Sequence, residues 1–232
     1  MANDRIDWNP IQARLRELIK KKESFEEMRE QLLQMHSMVH CREVYGRTEQ
    51  TYMDELWEGL SDKAFRTMPT IKDDTVAWNI WHITRIEDLT ANYLIAGCEQ
   101  VLEESWHKLL NTMVTDTGNA MTDEEILAFS NEVDKDALYQ YRNEVGRRVK
   151  GILEGLQFDD LKQKVPQKGI RRIAEAGGVS SRPEAVWLLD FWGRKNVAGI
   201  LLMPITRHQV VHINDSRRLK SVCNRLDKVP GK

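Results

Sequence analysis

The sequence has few cysteines, and their arrangement argues against a disulfide framework. Cys41, Cys98 and Cys223 are odd in number, far apart in the chain and in no CxxC pair. This pattern favours reduced thiols in a cytoplasm over the paired cysteines of a small secreted domain. We interpret the three side chains as small core residues and expect the protein to be cytoplasmic.

Long hydrophobic runs and an excess of charge of one sign are also missing. No apolar stretch approaches the roughly 18 residues of a membrane span. The charged opening, MANDRIDWNP, lacks the apolar segment of a signal peptide. The net charge is −2, with acidic and basic residues interspersed. These features argue against a nucleic acid or a membrane as the main partner, and we expect a small-molecule substrate.

Helical patterns dominate the sequence, and strand patterns are scarce. Apolar residues recur at spacings of three and four in four long segments, which begin near residues 24, 74, 134 and 196. Residues 156–179 are less periodic and are predicted to form a loop with a short helix. A chain of 232 residues can bury a full core without disulfides. The simplest architecture is therefore all-α, with four long amphipathic helices and accessory helices in one domain.

Capping residues give the predicted helix bounds. Ser, Thr, Asp or Asn before an apolar-periodic segment indicates a helix start, and Pro favours the first helical position. The predicted caps are Asn9 followed by Pro10, Ser24 with Glu27, Asp73 and Asp74, Thr122 with Glu125, Asp134 and Asn196, and a shorter helix is predicted from Ser181 to Gly193. We interpret residues 1–23 as an N-terminal accessory helix and residues 24–232 as the bundle domain.

Two histidines lie four residues apart on the predicted last helix. Residues i and i+4 share one helix face, so His208 and His212 can direct their imidazoles at one point. Helical metal sites use this geometry. A third ligand must come from another helix, because the next position on this face is Ser216. His82 is the candidate, since it also lies in the middle of its predicted helix, where bundles build cofactor sites.

Three neutral imidazoles would leave at least one coordination position open, as catalytic metal sites do. Zinc is the default ion for His82, His208 and His212, and imidazole also suits nickel or iron. The alternative stays open at this point. An HxxxH pair can arise by chance, and a single buried histidine is often a hydrogen-bonded core residue. Pro204 lies one turn before His208 and predicts a kink in the last helix.

Other side chains near these motifs are candidates for substrate binding. His36 and His40 form a second i,i+4 pair, which could supply an extra ligand, a substrate contact or a hydrogen bond to a ligand. They could equally be polar residues at the rim of a helix face. We assign His107 to the surface or a loop.

Arg85 and Trp81 lie beside His82 in the sequence. Arg85 could pair with a substrate carboxylate, or form a salt bridge to Glu87, Asp88 or Asp215. Trp81 could form a wall of the cavity or pack in the bundle. These side chains are predicted substrate contacts, and the sequence assigns no catalytic residue.

The motifs NIWHITRIED and ITRHQVVH resemble those of the DinB-like (YfiT-like) superfamily of metal-dependent enzymes. The resemblance covers roughly residues 24–222. Members share an antiparallel four-helix bundle that holds a divalent metal through three histidines. One histidine comes from the second bundle helix and two from an HxxxH motif in the last, which here match His82, His208 and His212. This chain departs from the family after His212, where HINDSRRL follows instead of the common Gly-Gln.

The resemblance also implies an activity. Several characterised relatives are transferases or isomerases that use a low-molecular-weight thiol, so we expect thiol transfer or addition to a small electrophile. A divalent metal favours this chemistry because it lowers the pKa of a bound thiol. The same metal could activate water for hydrolysis. A non-catalytic, stress-related metal-binding protein is a further alternative. Relatives are commonly dimers, which implies a homodimer.

Overall fold

The computed structural model describes residues 6–226, and within this range the chain forms helices and no strand. The helices are α1 (Asn9–Leu18), α2 (Phe25–Val39), α3 (Arg42–Tyr45), α4 (Tyr52–Trp57), α5 (Asp62–Arg66), α6 (Val76–Leu89), α7 (Glu104–Leu110), α8 (Asp123–Glu132), α9 (Lys135–Gly155), α10 (Gln167–Glu175), α11 (Pro183–Gly193), α12 (Val197–Leu202) and α13 (His208–Leu226). Short 3-10 turns lie at Lys22–Ser24 and Phe158–Lys162, and wider π-helical turns at Thr90–Ala96 and Met203–Arg207.

The four long elements α2, α6, α9 and α12–α13 form the bundle. Helix α6 packs against α9 and α13, and α2 packs against α9. Helices α6 and α13 are antiparallel, because Asn79 bonds to Asp215 whereas the later Ile83 bonds to the earlier Gln209. The predicted all-α four-helix bundle with accessory helices is confirmed.

Helices α2 and α9 form the second antiparallel pair, so each of the four bundle helices has an antiparallel neighbour. Phe25, at the start of α2, packs against Phe158, which follows α9. At the other end of α2, the carbonyl of Val39 accepts a hydrogen bond from Arg142, near the start of α9. The antiparallel arrangement follows from these two contacts at opposite ends of the helices.

Helices α6 and α9 are neighbours that run in the same direction. Thr75, just before α6, bonds to Ser130, which lies in the last turn of α8 and five residues before α9 begins. The side chain of Arg148, late in α9, lies 4.0 Å from the sulfur of Cys98, which follows α6. A parallel pair requires a long crossover between its helices, and residues 98–134 supply it through α7 and α8.

Helix α6 is buried on every side, and all residues from Val76 to Leu89 are buried. Helices α5, α8, α9 and α13 surround it. A helix that is buried all round is normally apolar. This one carries His82, Arg85, Glu87 and Asp88, so each charged group requires a partner within the protein. Helix α6 is therefore the element from which the candidate site is built.

Several predicted caps are confirmed and others are wrong. The Thr122–Glu125 capping box forms, and Asp134 and Asn196 cap α9 and α12 through their side chains. Helix α6 is capped by Thr75 instead of Asp73 or Asp74. Thr75 directly precedes the first helical residue, whereas the two aspartates lie outside the reach of the free amides.

The other differences concern three helix starts. Ser24 precedes α2 but accepts no hydrogen bond from it, because a 3-10 turn ends at Ser24 and its backbone is not extended as a capping residue requires. Helix α1 begins at Asn9 itself, without a side-chain cap, so Asn9 is not the predicted cap. Helix α11 begins at Pro183, two residues after Ser181, since proline favours the first turn.

The last predicted helix is divided at Pro204. Proline cannot donate a backbone hydrogen bond, so α12 ends at Leu202 and a π-helical turn leads to α13. Side chains donate hydrogen bonds to backbone carbonyls at this break. The hydroxyl of Thr206 bonds to the carbonyl of Leu201, and the amide of Gln12 bonds to the carbonyl of Leu202. At Pro204 the structure thus has a π-helical turn that separates two α-helices.

The accessory elements pack outside the four bundle helices. Helix α1 contacts α2 and α12 and buries Leu15 and Leu18 against the core. The division of the chain at residue 23 stays a prediction. Among residues 6–226, no helix combines the length and the apolar character needed to cross a bilayer.

The cap of α6 gives a testable prediction. Thr75→Ala removes a buried hydroxyl that accepts from the Trp78 amide at 2.9 Å and bonds to Ser130. We expect a loss of about 1–2 kcal/mol in the free energy of unfolding, measured by urea denaturation. Asp73→Ala removes an ion pair with the half-exposed Arg218 and a hydrogen bond from the Thr70 hydroxyl, and is expected to cost less than about 1 kcal/mol. Equal losses would contradict the assignment of the cap.

Candidate metal centre

Three imidazoles converge between α6 and the first two turns of α13. The ligand atoms of His82, His208 and His212 all lie within 4.8 Å of one another. The Nε2 atoms of His82 and His208 are 3.2 Å apart. Two nitrogens bound to one tetrahedral ion at 2.0–2.1 Å are about 3.3 Å apart, so this spacing fits a shared ion. His82 is buried and the other two are half-buried, so the group is partly accessible to solvent at His208 and His212.

The outer ring nitrogens of two histidines are held by the protein. His82 Nδ1 donates to the carbonyl of Thr117 at 2.7 Å. His212 Nδ1 donates to Asn79 Oδ1 at 2.5 Å, and Asn79 in turn donates to Asp215 at 3.1 Å. These hydrogen bonds place the proton on Nδ1 and leave the Nε2 lone pair directed inward. Metal-ligating histidines are oriented in this way.

Burial keeps the three imidazoles neutral. It lowers the pKa of His82 to about 3, with a further contribution from the nearby His212. It lowers the pKa of His212 to about 4 and that of His208 well below its ordinary value. Neutral imidazole is the form that binds a metal. The donor set, its spacing and its protonation therefore all fit a divalent ion.

Trp78 forms a wall of the site that the sequence analysis missed. Its ring stacks on His82 with centroids 4.6 Å apart and an angle of 10° between the planes. Its Nε1 donates to the carbonyl of Gly118. A side chain at Gly118 would approach Trp78 Nε1 to 2.6 Å, and its φ of +76° also favours glycine. The sequence could have indicated this contact, because Trp78 and His82 are four residues apart and therefore lie on one face of α6.

The structure gives Arg85 and Trp81 partners within the protein. Arg85 is fully buried, donates twice to the carbonyl of Thr115 and pairs with Asp88 at 2.8 Å. The salt-bridge alternative for Arg85 is therefore confirmed, with Asp88 as the partner. Trp81 is also fully buried and donates to the carbonyl of Asp116. Their predicted contacts with a substrate have no support in this arrangement, because their N–H groups already bond to protein acceptors.

These contacts share a pattern along the chain. Four side chains of α6 donate to four consecutive backbone carbonyls of the crossover, at residues 115–118. The donors, in the order of the carbonyls, are Arg85, Trp81, His82 and Trp78. The orientation of the His82 imidazole is thus part of a larger hydrogen-bonded contact between α6 and the crossover.

His36 and His40 lie apart from the three-histidine group. Both are fully buried and point at Glu87 on α6, with Nε2–Oε1 distances of 2.7 and 3.1 Å. His36 also bonds to the hydroxyl of Tyr45 at 2.8 Å. Neither side chain reaches solvent, so a substrate contact has no support here and a role as a ligand stays a prediction. His107 lies half-buried in α7 and bonds to the carbonyl of Thr112.

A cavity of about 290 Å³ lies between the start of α1 and α13. Its wall includes Trp8, Gln12, Arg207 and Val211. None of the three converging histidines lines this cavity. It is therefore separate from the candidate metal centre.

The chain matches the family model of the DinB superfamily over residues 46–213. This match covers more than half of the chain and includes His82, His208 and His212. The chain belongs to the DinB superfamily. The resemblance inferred from the two histidine motifs is thereby confirmed. No curated protein matches the chain with significance.

The neutral imidazoles predict how stability depends on pH. Below about pH 6.5 the unfolded chain protonates histidines that the metal-free native state keeps neutral down to about pH 3–4. The unfolded state then binds more protons, so the free energy of unfolding should fall as the pH falls through this range. Each histidine contributes up to about 1.4 kcal/mol per pH unit.

The measurement is urea denaturation of the chelator-treated protein between pH 7 and pH 5. His82→Gln removes one buried imidazole and should flatten the dependence on pH. His107→Gln removes a half-buried imidazole outside this group and is the matched control. The same slope in the wild type and His82→Gln would rule out a neutral, buried His82.

Proposed function

We propose that this DinB-superfamily protein is a metal-dependent enzyme that transfers or adds a low-molecular-weight thiol to a small electrophile. The convergence of the His82, His208 and His212 side chains carries the proposal. Three neutral imidazoles that are partly accessible to solvent suit a catalytic ion better than a closed structural one. Zinc is the preferred ion, and nickel or iron also suits imidazole ligands.

The residues of the chain would hold and orient the ion. Thr117 and Asn79 fix the rings of His82 and His212, and Trp78 covers one side of His82. A divalent ion at this position supplies Lewis-acid chemistry, which lowers the pKa of a thiol or a water molecule. Access from solvent is on the side of the half-buried histidines, where a small substrate can approach.

The carboxyl group of Asp74, two residues before the start of α6, has a raised pKa. Burial raises the pKa of Asp74 to about 6, and repulsion from Asp215 adds to the effect. Asp215 is the acceptor for Asn79, which orients His212.

Two alternatives use the same three histidines. A hydrolase would activate water instead of a thiol at the open position. A non-catalytic, stress-related protein would bind the ion without turnover. The proposed thiol chemistry accords with a cytoplasmic location, where low-molecular-weight thiols are reduced. The commonly dimeric state of relatives leads us to propose a homodimer.

Cobalt substitution tests the thiol reaction. Adding a small thiol to the cobalt-loaded protein should produce a sulfur-to-metal charge-transfer band, and an electrophile should alkylate the bound thiol faster than it alkylates the free thiol. His82→Ala should lose both effects, whereas His107→Ala, in α7, should keep them.

The comparison should include bacillithiol, glutathione and simple thiols, because a larger thiol can make contacts that a simple one lacks. No band with any thiol, together with metal-dependent hydrolysis, would assign the protein as a hydrolase. Loss of both activities would favour the non-catalytic alternative.

The role of Asn79 gives a separate prediction. Asn79→Ala removes the acceptor that fixes the His212 ring, while all three ligands stay in place. Removing such an outer partner typically lowers metal affinity about 10–100-fold. Competition with a fluorescent chelator measures the affinity. Asn214→Ala is the matched control, since Asn214 lies on α13 but bonds to the backbone of Ile6. Unchanged affinity in Asn79→Ala would show that this hydrogen bond does not orient the ligand.

A further inference from the structure

A second group of possible ligands lies deeper in the bundle. The ligand atoms of His36, His40 and Glu87 are within 4.8 Å of one another, and all three side chains are fully buried. His36 lies on α2 and His40 directly follows the last residue of this helix, and their ring centroids are 4.2 Å apart. Both Nε2 atoms approach the carboxylate of Glu87 on α6. The group thus joins two bundle helices at one point.

His36 has the second hydrogen bond that metal-ligating histidines usually have, whereas Nδ1 of His40 bonds to no group within residues 6–226. His36 presents Nε2 to Glu87, while its outer nitrogen, Nδ1, bonds to the hydroxyl of Tyr45 at 2.8 Å. Helix α9 approaches the ring of His40 at Gly146, where an added Cβ would lie 2.5 Å from Nδ1. Glycine is therefore needed for the ring of His40 to occupy this position. An outer partner and close packing fix the direction of the inner nitrogens.

The carboxylate of Glu87 is incompletely satisfied. His40 Nε2 lies 3.1 Å from each of its oxygens, but Oε2 accepts no hydrogen bond from residues 6–226. The nearest cation is Arg142, whose Nη1 is 4.0 Å from Oε2, too far for a hydrogen bond. A buried carboxylate requires a compensating cation or full hydrogen bonding.

Arg142 is engaged elsewhere. Its terminal nitrogens donate to the carbonyl of Val39 at 2.7 Å, to Gln209 at 3.0 Å and to Thr84 at 3.2 Å. These contacts fix the guanidinium beside the carboxylate without bringing it into contact. The negative charge of Glu87 therefore lies against two imidazoles and is not in direct contact with the guanidinium of Arg142.

We propose that His36, His40 and Glu87 form a second divalent-metal site, separate from the three-histidine centre. Two imidazoles and one carboxylate are a donor set that binds zinc. The site is buried, so it has no access for a substrate. Its ion would tie α2 to α6 and would stabilise the bundle without taking part in turnover.

Metal stoichiometry tests this proposal. The protein is loaded with zinc, passed through a desalting column and analysed by mass spectrometry of the metal. We expect two zinc ions in the wild-type chain and one in the double variant His82→Ala, His212→Ala, in which the first site is removed. Adding Glu87→Gln to the double variant should remove the remaining ion. Glu132→Gln, an exposed carboxylate on α8, is the control and should change nothing.

A spectroscopic measurement keeps the test independent of any loss of stability. X-ray absorption at the zinc edge of the double variant should show two imidazoles and oxygen ligands. In the otherwise unchanged chain, Glu87→Gln and His40→Ala should each reduce the zinc content from two to one. A double variant that folds but binds no zinc would overturn the proposal, as would a wild-type chain that binds one ion and keeps it in Glu87→Gln. Either result would show that the three residues form only a hydrogen-bonded network.

Discussion

The contact between α6 and the backbone of residues 115–118 determines both the fold and the candidate site. Four consecutive carbonyls of this segment accept hydrogen bonds from α6 side chains. Parallel neighbours α6 and α9 require a long crossover, and such a segment would otherwise place unpaired carbonyls against the core. The hydrogen bonds that stabilise the crossover also set the orientation of His82. The metal ligand and the chain topology therefore depend on the same interaction.

The polar groups of α6 are distributed over successive turns. His82 faces α13, Arg85 and Asp88 pair with each other, and Glu87 faces α2. Burial of isolated charges would cost several kcal/mol each, so a fully buried helix tolerates this sequence only because each group has partners on a neighbouring element. Removing one partner would leave the other charge buried. Because His82 faces α13 and Glu87 faces α2, the two histidine-containing groups contact different neighbours of α6.

The sequence was sufficient to predict the all-α architecture and the three histidines that converge. Helical periodicity identified the four long helices, and the spacing of His208 and His212 required a third ligand from another helix. The orienting groups were harder to predict. Asn79 and Trp78 lie one turn before His82 and could have been found from that spacing. The carbonyl of Thr117 could not have been predicted. It is a backbone group 35 residues from His82, and nearly every residue of the chain carries the same group. The pairing of Glu87 with His36 likewise depends on how α2 packs.

The break at Pro204 connects the sequence to the position of His208. A π-helical turn contains more residues per turn than an α-helix, so it changes the face that the following residues present. The turn Met203–Arg207 ends directly before His208. Gln209 then donates both to the carbonyl of Pro204 and to that of Ile83 on α6. The side chain that closes the irregular turn thereby fixes α13 against α6. A regular helix through this region would direct His208 and His212 to a different face, so the proline sets the direction in which the two ligands point.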